Sequence, residues 1–235
     1  MEYGNMLGES FAYAKEGVVN KMNKWIMLII ATIILTIPLM GYLMQIYRGT
    51  KPAPEVGNWG KLFIDGIMLA IVAFIYMIPL LILQFLMVGA VMAGAIFQDP
   101  TAVMAGMAGA GILFLVYIIV AIIIVLFAPM AMIRFARSGS IGEAFNFNAI
   151  RAHIGKIGWI NYIIALIILA LVTGIPVVII EVILVALMTI LIIALSEIGF
   201  LLGGLIIVIV VLALIPVITV FQARYITQIY DTVAA

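Results

Sequence analysis

Residues 66–98 read GIMLAIVAFIYMIPLLILQFLMVGAVMAGAIFQ, thirty-three positions without a charged side chain. A transmembrane helix needs about 20 consecutive apolar residues, because the hydrocarbon core of a bilayer is about 30 Å thick. A soluble fold could not keep a run of this length away from water. The stretch therefore predicts a membrane-spanning helix that bends near Pro79 and ends near Gly89, with an interfacial extension to Gln98.

The composition of the whole chain also predicts that its surroundings are lipid. Hydrophobic residues make up 68% of the 235 positions and charged residues 9%, and the mean hydropathy is +1.41. Soluble domains contain roughly 45–50% apolar and about 25% charged residues. Because the apolar runs are long and continuous, we expect an all-α, polytopic, multi-pass protein of the cell membrane, with a single transmembrane domain over residues 1–235.

The same reasoning predicts about six transmembrane helices and two amphipathic helices at the membrane interface. The interfacial helices are predicted over 3–24 and 140–157, and Ser140 with Glu143 has the pattern of a capping box. Gly174 and Pro176 predict a helix end, and residues 196–199 a tight turn. The spans are predicted over 25–47, 66–89, 109–134, 159–174, 176–194 and 199–221.

The two halves of the chain resemble each other. At an offset of 134 residues Glu9 aligns with Glu143 and Trp25 with Trp159, and the Ala-Arg pair ending in Arg137 follows a proline at the same spacing as the later pair ending in Arg224. We therefore predict a first repeat over 1–137 and a second over 138–235. Three spans per repeat is an odd number, which predicts an inverted-topology repeat, an arrangement common in transporters.

Several kinds of chemistry are excluded or disfavoured by residue usage. The chain has no cysteine and one histidine, so thiolate sites and histidine-built metal sites are not expected. The net charge of +1 gives no reason to expect nucleic-acid binding. No catalytic constellation, cofactor motif or phosphate loop is present, and we expect neither an enzyme nor a cofactor.

One region resembles a known family. It comprises Gly41–Gly49, then Pro54-Glu55, Trp59–Gly66 and Tyr76–Pro79, and it is similar to an uncharacterised family of archaeal and bacterial membrane proteins, domain of unknown function 4013. The resemblance implies a multi-helix membrane protein, of archaeal origin, and no catalytic activity. Members often carry a basic residue where this chain has Gln45.

The same region supplies candidate contact residues for lipid or a protein partner: Arg48, Glu55, Trp59 and Asp65. Arg48 could hold a lipid phosphate, with Trp59 beside it at the headgroup level. Alternatively, these residues fix the loop against the membrane. Asp65 lies one helical turn from Lys61, which predicts a salt bridge between them.

Two polar residues lie inside predicted spans. A carboxylate costs roughly 2.5–3.5 kcal/mol at the centre of a membrane helix by insertion scales, so Glu181 requires an explanation. It could relay protons or cations, or it could be an interfacial or paired carboxylate. Gln84 is the second member of this candidate intramembrane polar site, and interhelical hydrogen bonding would also account for it.

These observations leave three functions open. The first is a non-enzymatic membrane component or subunit that contacts membrane lipid and a protein partner or further copies of itself. The second is a small-solute transporter or channel built on the inverted repeat. The third is a lipid-binding or membrane-shaping protein that uses the two amphipathic helices.

Overall fold

A computed structural model describes residues 1–96 and 99–233, and within these ranges every regular element is a helix, as predicted. In chain order the elements are α1 (Tyr3–Ala14), a π-helical segment (Lys15–Val19), α2 (Met22–Ile33), α3 (Ile37–Tyr47), α4 (Trp59–Ile96), α5 (Pro100–Ser138), α6 (Ile141–Ala144), α7 (Phe147–Ile157) and α8 (Trp159–Asp231).

Helices α4 and α5 form a long antiparallel hairpin. The Oδ1 of Asp99 accepts hydrogen bonds from the amides of Thr101 and Ala102 and thereby caps α5. Gly106 packs directly against the Ala90 carbonyl, where an added Cβ would collide with the oxygen. Glycine at this position therefore allows the backbones of the two helices to approach closely.

Helix α8 folds back on itself to form a second hairpin. The backbone leaves the helical region at Ser196 (φ 54°, ψ −124°), which confirms the predicted turn and divides α8 into a first arm, 159–195, and a second arm, 197–231. The arms are antiparallel, since Gln222 Nε2 donates to Thr173 Oγ1 at 3.2 Å. At the turn, a Cβ added to Gly199 would collide with the carbonyl oxygen of Leu191.

Within the described ranges three helices, α4, α5 and α8, are long and apolar enough to cross a membrane, so the prediction of six spans is not confirmed. The predicted span over 25–47 is wrong. It consists of α2 and α3, separated by Leu35 and Thr36 with positive φ angles. Each helix has 11 or 12 residues and is about 18 Å long, too short to cross. Pro38 lies in the first turn of α3, where its missing N–H has no helical partner to lose.

The predicted helix end near 174–176 is also wrong. Helix α8 continues through Pro176 and Pro216 without a further break, and α4 and α5 extend past the predicted limits at 89 and 109. A proline interior to a helix is tolerated where neighbouring groups re-satisfy the freed carbonyl. Each half of the chain then contributes two long helical segments instead of three, so the odd number that predicted inversion is absent.

The ends of the long helices meet in one layer, the basal layer. It consists of α1, the π-helical segment, α2, α3, the loop 48–58, α6, α7 and the adjoining ends of α4, α5 and α8. The buried core lies mostly here, with Tyr42, Phe135, Tyr162 and Tyr225 among its largest fully buried side chains. The Ser196 turn lies at the opposite end of the molecule.

The predicted interfacial helix over 140–157 is two helices, α6 and α7. The predicted capping box is wrong, because the Ser140 side chain makes no capping hydrogen bond and Glu143 binds Arg134 instead. Asn146 caps α7, with its Oδ1 accepting from the Ala149 amide at 3.2 Å.

Candidate functional site

The basal layer holds three of the charged side chains that the sequence singles out, namely Arg48, Glu55 and Asp65. The Nη1 and Nη2 of Arg48 donate to the two carboxylate oxygens of Asp65 at 2.6 and 3.1 Å, and its Nε donates to the Ala136 carbonyl at 3.2 Å. The guanidinium thus joins the end of α3 to the start of α4 and the end of α5. The predicted pair of Lys61 with Asp65 is wrong, since Arg48 from another helix fills that carboxylate.

Glu55 lies in the loop before α4 and binds two lysines. Its Oε1 lies 2.9 Å from Lys21 Nζ and 3.0 Å from Lys24 Nζ. These hydrogen bonds hold the pKa of Glu55 below its usual value. Lys24 is buried, and its Nζ also donates to the Pro54 carbonyl at 2.9 Å. Trp59, at the start of α4, is half-buried against the core. Glu55 and Trp59 thus both fix the loop, and contact of these two residues with lipid or a partner stays a prediction.

Sequence reasoning missed a third cluster, around Arg137. This side chain donates to the Tyr47 carbonyl at 3.1 Å, pairs with Asp231 and lies over the ring of Tyr230, with 4.7 Å between the guanidinium carbon and the ring centroid. The His153 ring stacks on the Tyr230 ring, with 3.9 Å between the two ring centroids. Its Nε2 lies 3.0 Å from the Tyr230 carbonyl oxygen. The repeated Ala-Arg pairs were the sequence signal for this cluster.

The start of each half's first apolar helix contacts the last long helix of the other half. Trp25 Nε1 donates to the Ala213 carbonyl at 2.9 Å, and in the other half the Tyr162 hydroxyl donates to the Leu126 carbonyl at 2.8 Å. Residues 126 and 213 are 87 positions apart, the same separation as the two Ala-Arg pairs. The two contacts are similar in kind, although Tyr162 aligns with Leu28 and not with Trp25 at the offset of 134 residues.

The aligned glutamates follow the same pattern. Glu143 on α6 binds Arg134 on α5, and Glu9 on α1 lies with its Oε2 3.6 Å from Nη2 of Arg224 on the second arm of α8. The ion pair to Arg134 holds the pKa of Glu143 below its usual value. In both halves, a glutamate of the short helices meets an arginine near the end of a long helix.

A polar cavity of about 400 Å³, which we call the basal cavity, opens between α1, the π-helical segment, the loop at 51–53 and the second arm of α8. Arg224 lines it and is almost fully buried. The Tyr13 ring lies against this guanidinium, 5.3 Å from centroid to guanidinium carbon, and burial raises the pKa of Tyr13 to about 12. The cavity also contains Lys21, Lys51, Glu9 and Glu16.

Two further cavities are apolar and lie beside the long arms. One, of about 380 Å³, lies between α1, the π-helical segment and both arms of α8, with Lys15 and Thr173 among its lining residues. The other, of about 460 Å³, separates α5 from the first arm of α8 and has Tyr117 as its one residue with a polar side-chain group. Both cavities offer hydrocarbon-compatible surface.

The structure does not bring together the two predicted intramembrane polar residues. Glu181 lies on the first arm of α8 and Gln84 on α4, and both are exposed on the surface of the chain. Neither lines the basal cavity or the two apolar cavities. Among the described residues no group of three or more histidine, cysteine, aspartate or glutamate side chains is arranged to hold a metal ion.

Comparison with known proteins identifies one family. The family model described as protein of unknown function (DUF4013) matches residues 25–188. No curated protein and no solved structure matches the chain. The match covers α2 to α7 and the first arm of α8 as far as residue 188. It does not include α1 or Arg224, which line the basal cavity.

Proposed function

The chain belongs to the DUF4013 family, and because the family's description assigns no activity, we propose a function from the geometry. We propose that the protein is a non-enzymatic membrane component whose long helices pack against other membrane helices, either those of a partner subunit or those of further copies of the same chain. The basal layer would hold the arms in position at one membrane face.

The main support for this proposal is that the apolar helices are little buried within the chain. Each of these helices contains an apolar window of 18 residues. The share of this window that is buried within the chain is 28% in α4, 0% in α5 and 11% in α8. Helices of a self-contained membrane bundle bury one face against each other. Gly109 and Gly111 on α5 have nothing within 4 Å of an added Cβ, so a second helix could approach closely there.

Lipid binding is the second candidate, and the two apolar cavities favour it. Their volumes of about 380 and 460 Å³ and their hydrocarbon lining suit acyl chains. Lys15 at the first of them could meet a lipid headgroup. The transporter alternative receives no comparable support, because the space between α5 and α8 is apolar and neither Glu181 nor Gln84 faces it.

We also propose that the chain is a duplication whose two copies enter the membrane from the same face. The aligned Glu9 and Glu143, each of which meets an arginine of the other half, support the duplication. All eleven lysines and arginines lie in the basal layer. Asp99, at the tip of the α4–α5 hairpin, and Glu197, at the turn of α8, lie far from it. Positively charged segments remain preferentially in the cytoplasm, so the basal layer would be cytoplasmic.

The test is the composition of the particle extracted gently into nanodiscs and weighed by native mass spectrometry. We expect a stoichiometric partner subunit or a defined oligomer. Gly109→Leu with Gly111→Leu should dissociate it, whereas Ile119→Leu, an exposed and nearly isosteric change on the same helix, should not. A monomer that retains only lipid would contradict the proposal and favour lipid binding.

A further inference from the structure

The basal cavity contains a buried cation whose hydrogen-bonding capacity is not filled. Arg224 is 2% exposed, and its Nη1 is buried without a hydrogen-bond partner among the described residues. Its Nη2 lies 3.6 Å from a Glu9 oxygen, which is beyond hydrogen-bond length. A guanidinium carries five N–H donors, and a buried donor left unsatisfied is costly. The described residues thus give Nη1 no acceptor, which leaves the guanidinium free to bind one from outside the chain.

The surrounding charges indicate the sign of that acceptor. Lys21 and Lys51 line the cavity with Arg224, against the carboxylates of Glu9 and Glu16, so the lining has three cations and two anions. Lys21 also pairs with Glu55, which lies outside this lining. Glu9 is 62% exposed and can turn towards water. The Tyr13 hydroxyl donates to the Thr50 carbonyl at 2.9 Å, so the tyrosine contributes its ring face and not an acceptor to Arg224.

We propose that the basal cavity binds a phosphate group, with Arg224 as its fork-shaped donor and Lys51 and Lys21 as supporting charges. The planar guanidinium matches two phosphate oxygens at once, which a lysine cannot do. The volume of about 400 Å³ holds a phosphorylated headgroup or a small soluble phosphate compound. This inference concerns the polar end of the protein and is independent of what the apolar arms contact.

The experiment uses the full-length protein, stripped of lipid in a neutral maltoside detergent, and isothermal titration calorimetry. Three probes are titrated: inorganic phosphate, dihexanoyl-phosphatidylglycerol, and dihexanoylglycerol, which lacks the phosphate. We expect saturable binding of a phosphate-bearing probe and none of dihexanoylglycerol. Binding of the lipid alone identifies a lipid headgroup as the ligand, and binding of inorganic phosphate as well identifies a site open to soluble phosphates.

Variants then locate the binding. Arg224→Lys keeps the charge but removes the fork and should weaken the affinity about tenfold or more, since a charge-assisted hydrogen bond is worth about 1.5–3 kcal/mol. Lys51→Gln, at an exposed position of the cavity, should weaken it about threefold. Lys61→Gln changes an exposed basal lysine outside the cavity and should leave the affinity unchanged.

Two results would overturn the proposal. One is the absence of saturable binding to both phosphate-bearing probes. The other is binding that Lys51→Gln and Lys61→Gln weaken equally, because general attraction to a basic surface would do that. If Arg224→Lys fails to fold, the comparison of the two exposed lysine variants still decides the location.

Discussion

The ion pair between Arg48 and Asp65 makes a quantitative test of the basal layer. Exposed pairs contribute about 0.2–1 kcal/mol, and breaking a buried pair costs about 3–5 kcal/mol. Here the side chains are 32% and 13% exposed, between these limits. We expect Arg48→Ala to destabilise the protein by about 2 kcal/mol, because it leaves the carboxylate and the Ala136 carbonyl without their donor.

Asp65→Asn is the milder change. The amide oxygen can still accept from Arg48, and the bond from Arg48 Nε to Ala136 remains. We expect a cost of about 1 kcal/mol and, in the double variant, a coupling energy of about 1 kcal/mol between the two positions. The assay is SDS-induced unfolding in mixed micelles, followed by the fluorescence of the three tryptophans.

Lys61→Ala is the matched control for this cycle. Lys61 is exposed, one helical turn from Asp65, and outside the observed pair, so its removal should change the free energy of unfolding by less than about 0.5 kcal/mol. If Lys61→Ala costs as much as Arg48→Ala, or if the effects of Arg48→Ala and Asp65→Asn are simply additive, the pairing described for Asp65 is refuted.

Three other predictions test the basal layer, the topology and the α8 hairpin. Burial lowers the pKa of His153 below its ordinary 6.5, so the unfolded chain binds the proton more tightly. The histidine's contribution is complete above pH 6.5 and is lost as the pH falls towards its folded-state pKa. The loss of thermal stability between pH 7.5 and pH 5.5 should therefore shrink in His153→Gln, and an unchanged loss would contradict this reasoning. The chain has no cysteine, so single cysteines can report topology. In intact cells Glu197→Cys should react with an impermeant maleimide, Lys61→Cys and Lys156→Cys should react only after permeabilisation, and the reverse pattern would place the basal layer outside. Gly199→Leu would collide with the Leu191 carbonyl and should cost about 1–3 kcal/mol in the same SDS assay. Gly89→Leu, which meets open space, serves as its control, and equal costs would argue against a tight turn.

The sequence by itself determined the helical class, the family and the turn at Ser196, and it indicated helices apolar enough to cross a membrane. Long uncharged runs are typical of membrane-spanning segments, and in lipid every backbone group of such a run must bond within its own helix. The turn was predictable because residues 196–199 interrupt an otherwise apolar stretch with polar and glycine residues. The Ala-Arg coincidence also marked two arginines whose contacts the structure then gave.

The tertiary structure decided where the helices end and which charges meet. Pro38 begins a helix whereas Pro176 lies inside one, although both follow an isoleucine in an apolar run. The difference lies in tertiary packing, since α3 packs closely on α4 at Gly41 and Gly66, and no local pattern contains that contact. Likewise, Asp65 has Lys61 one turn away in sequence but binds Arg48, which directly follows α3. Ion pairs form between atoms that the fold places within about 4 Å, and the fold alone sets those distances.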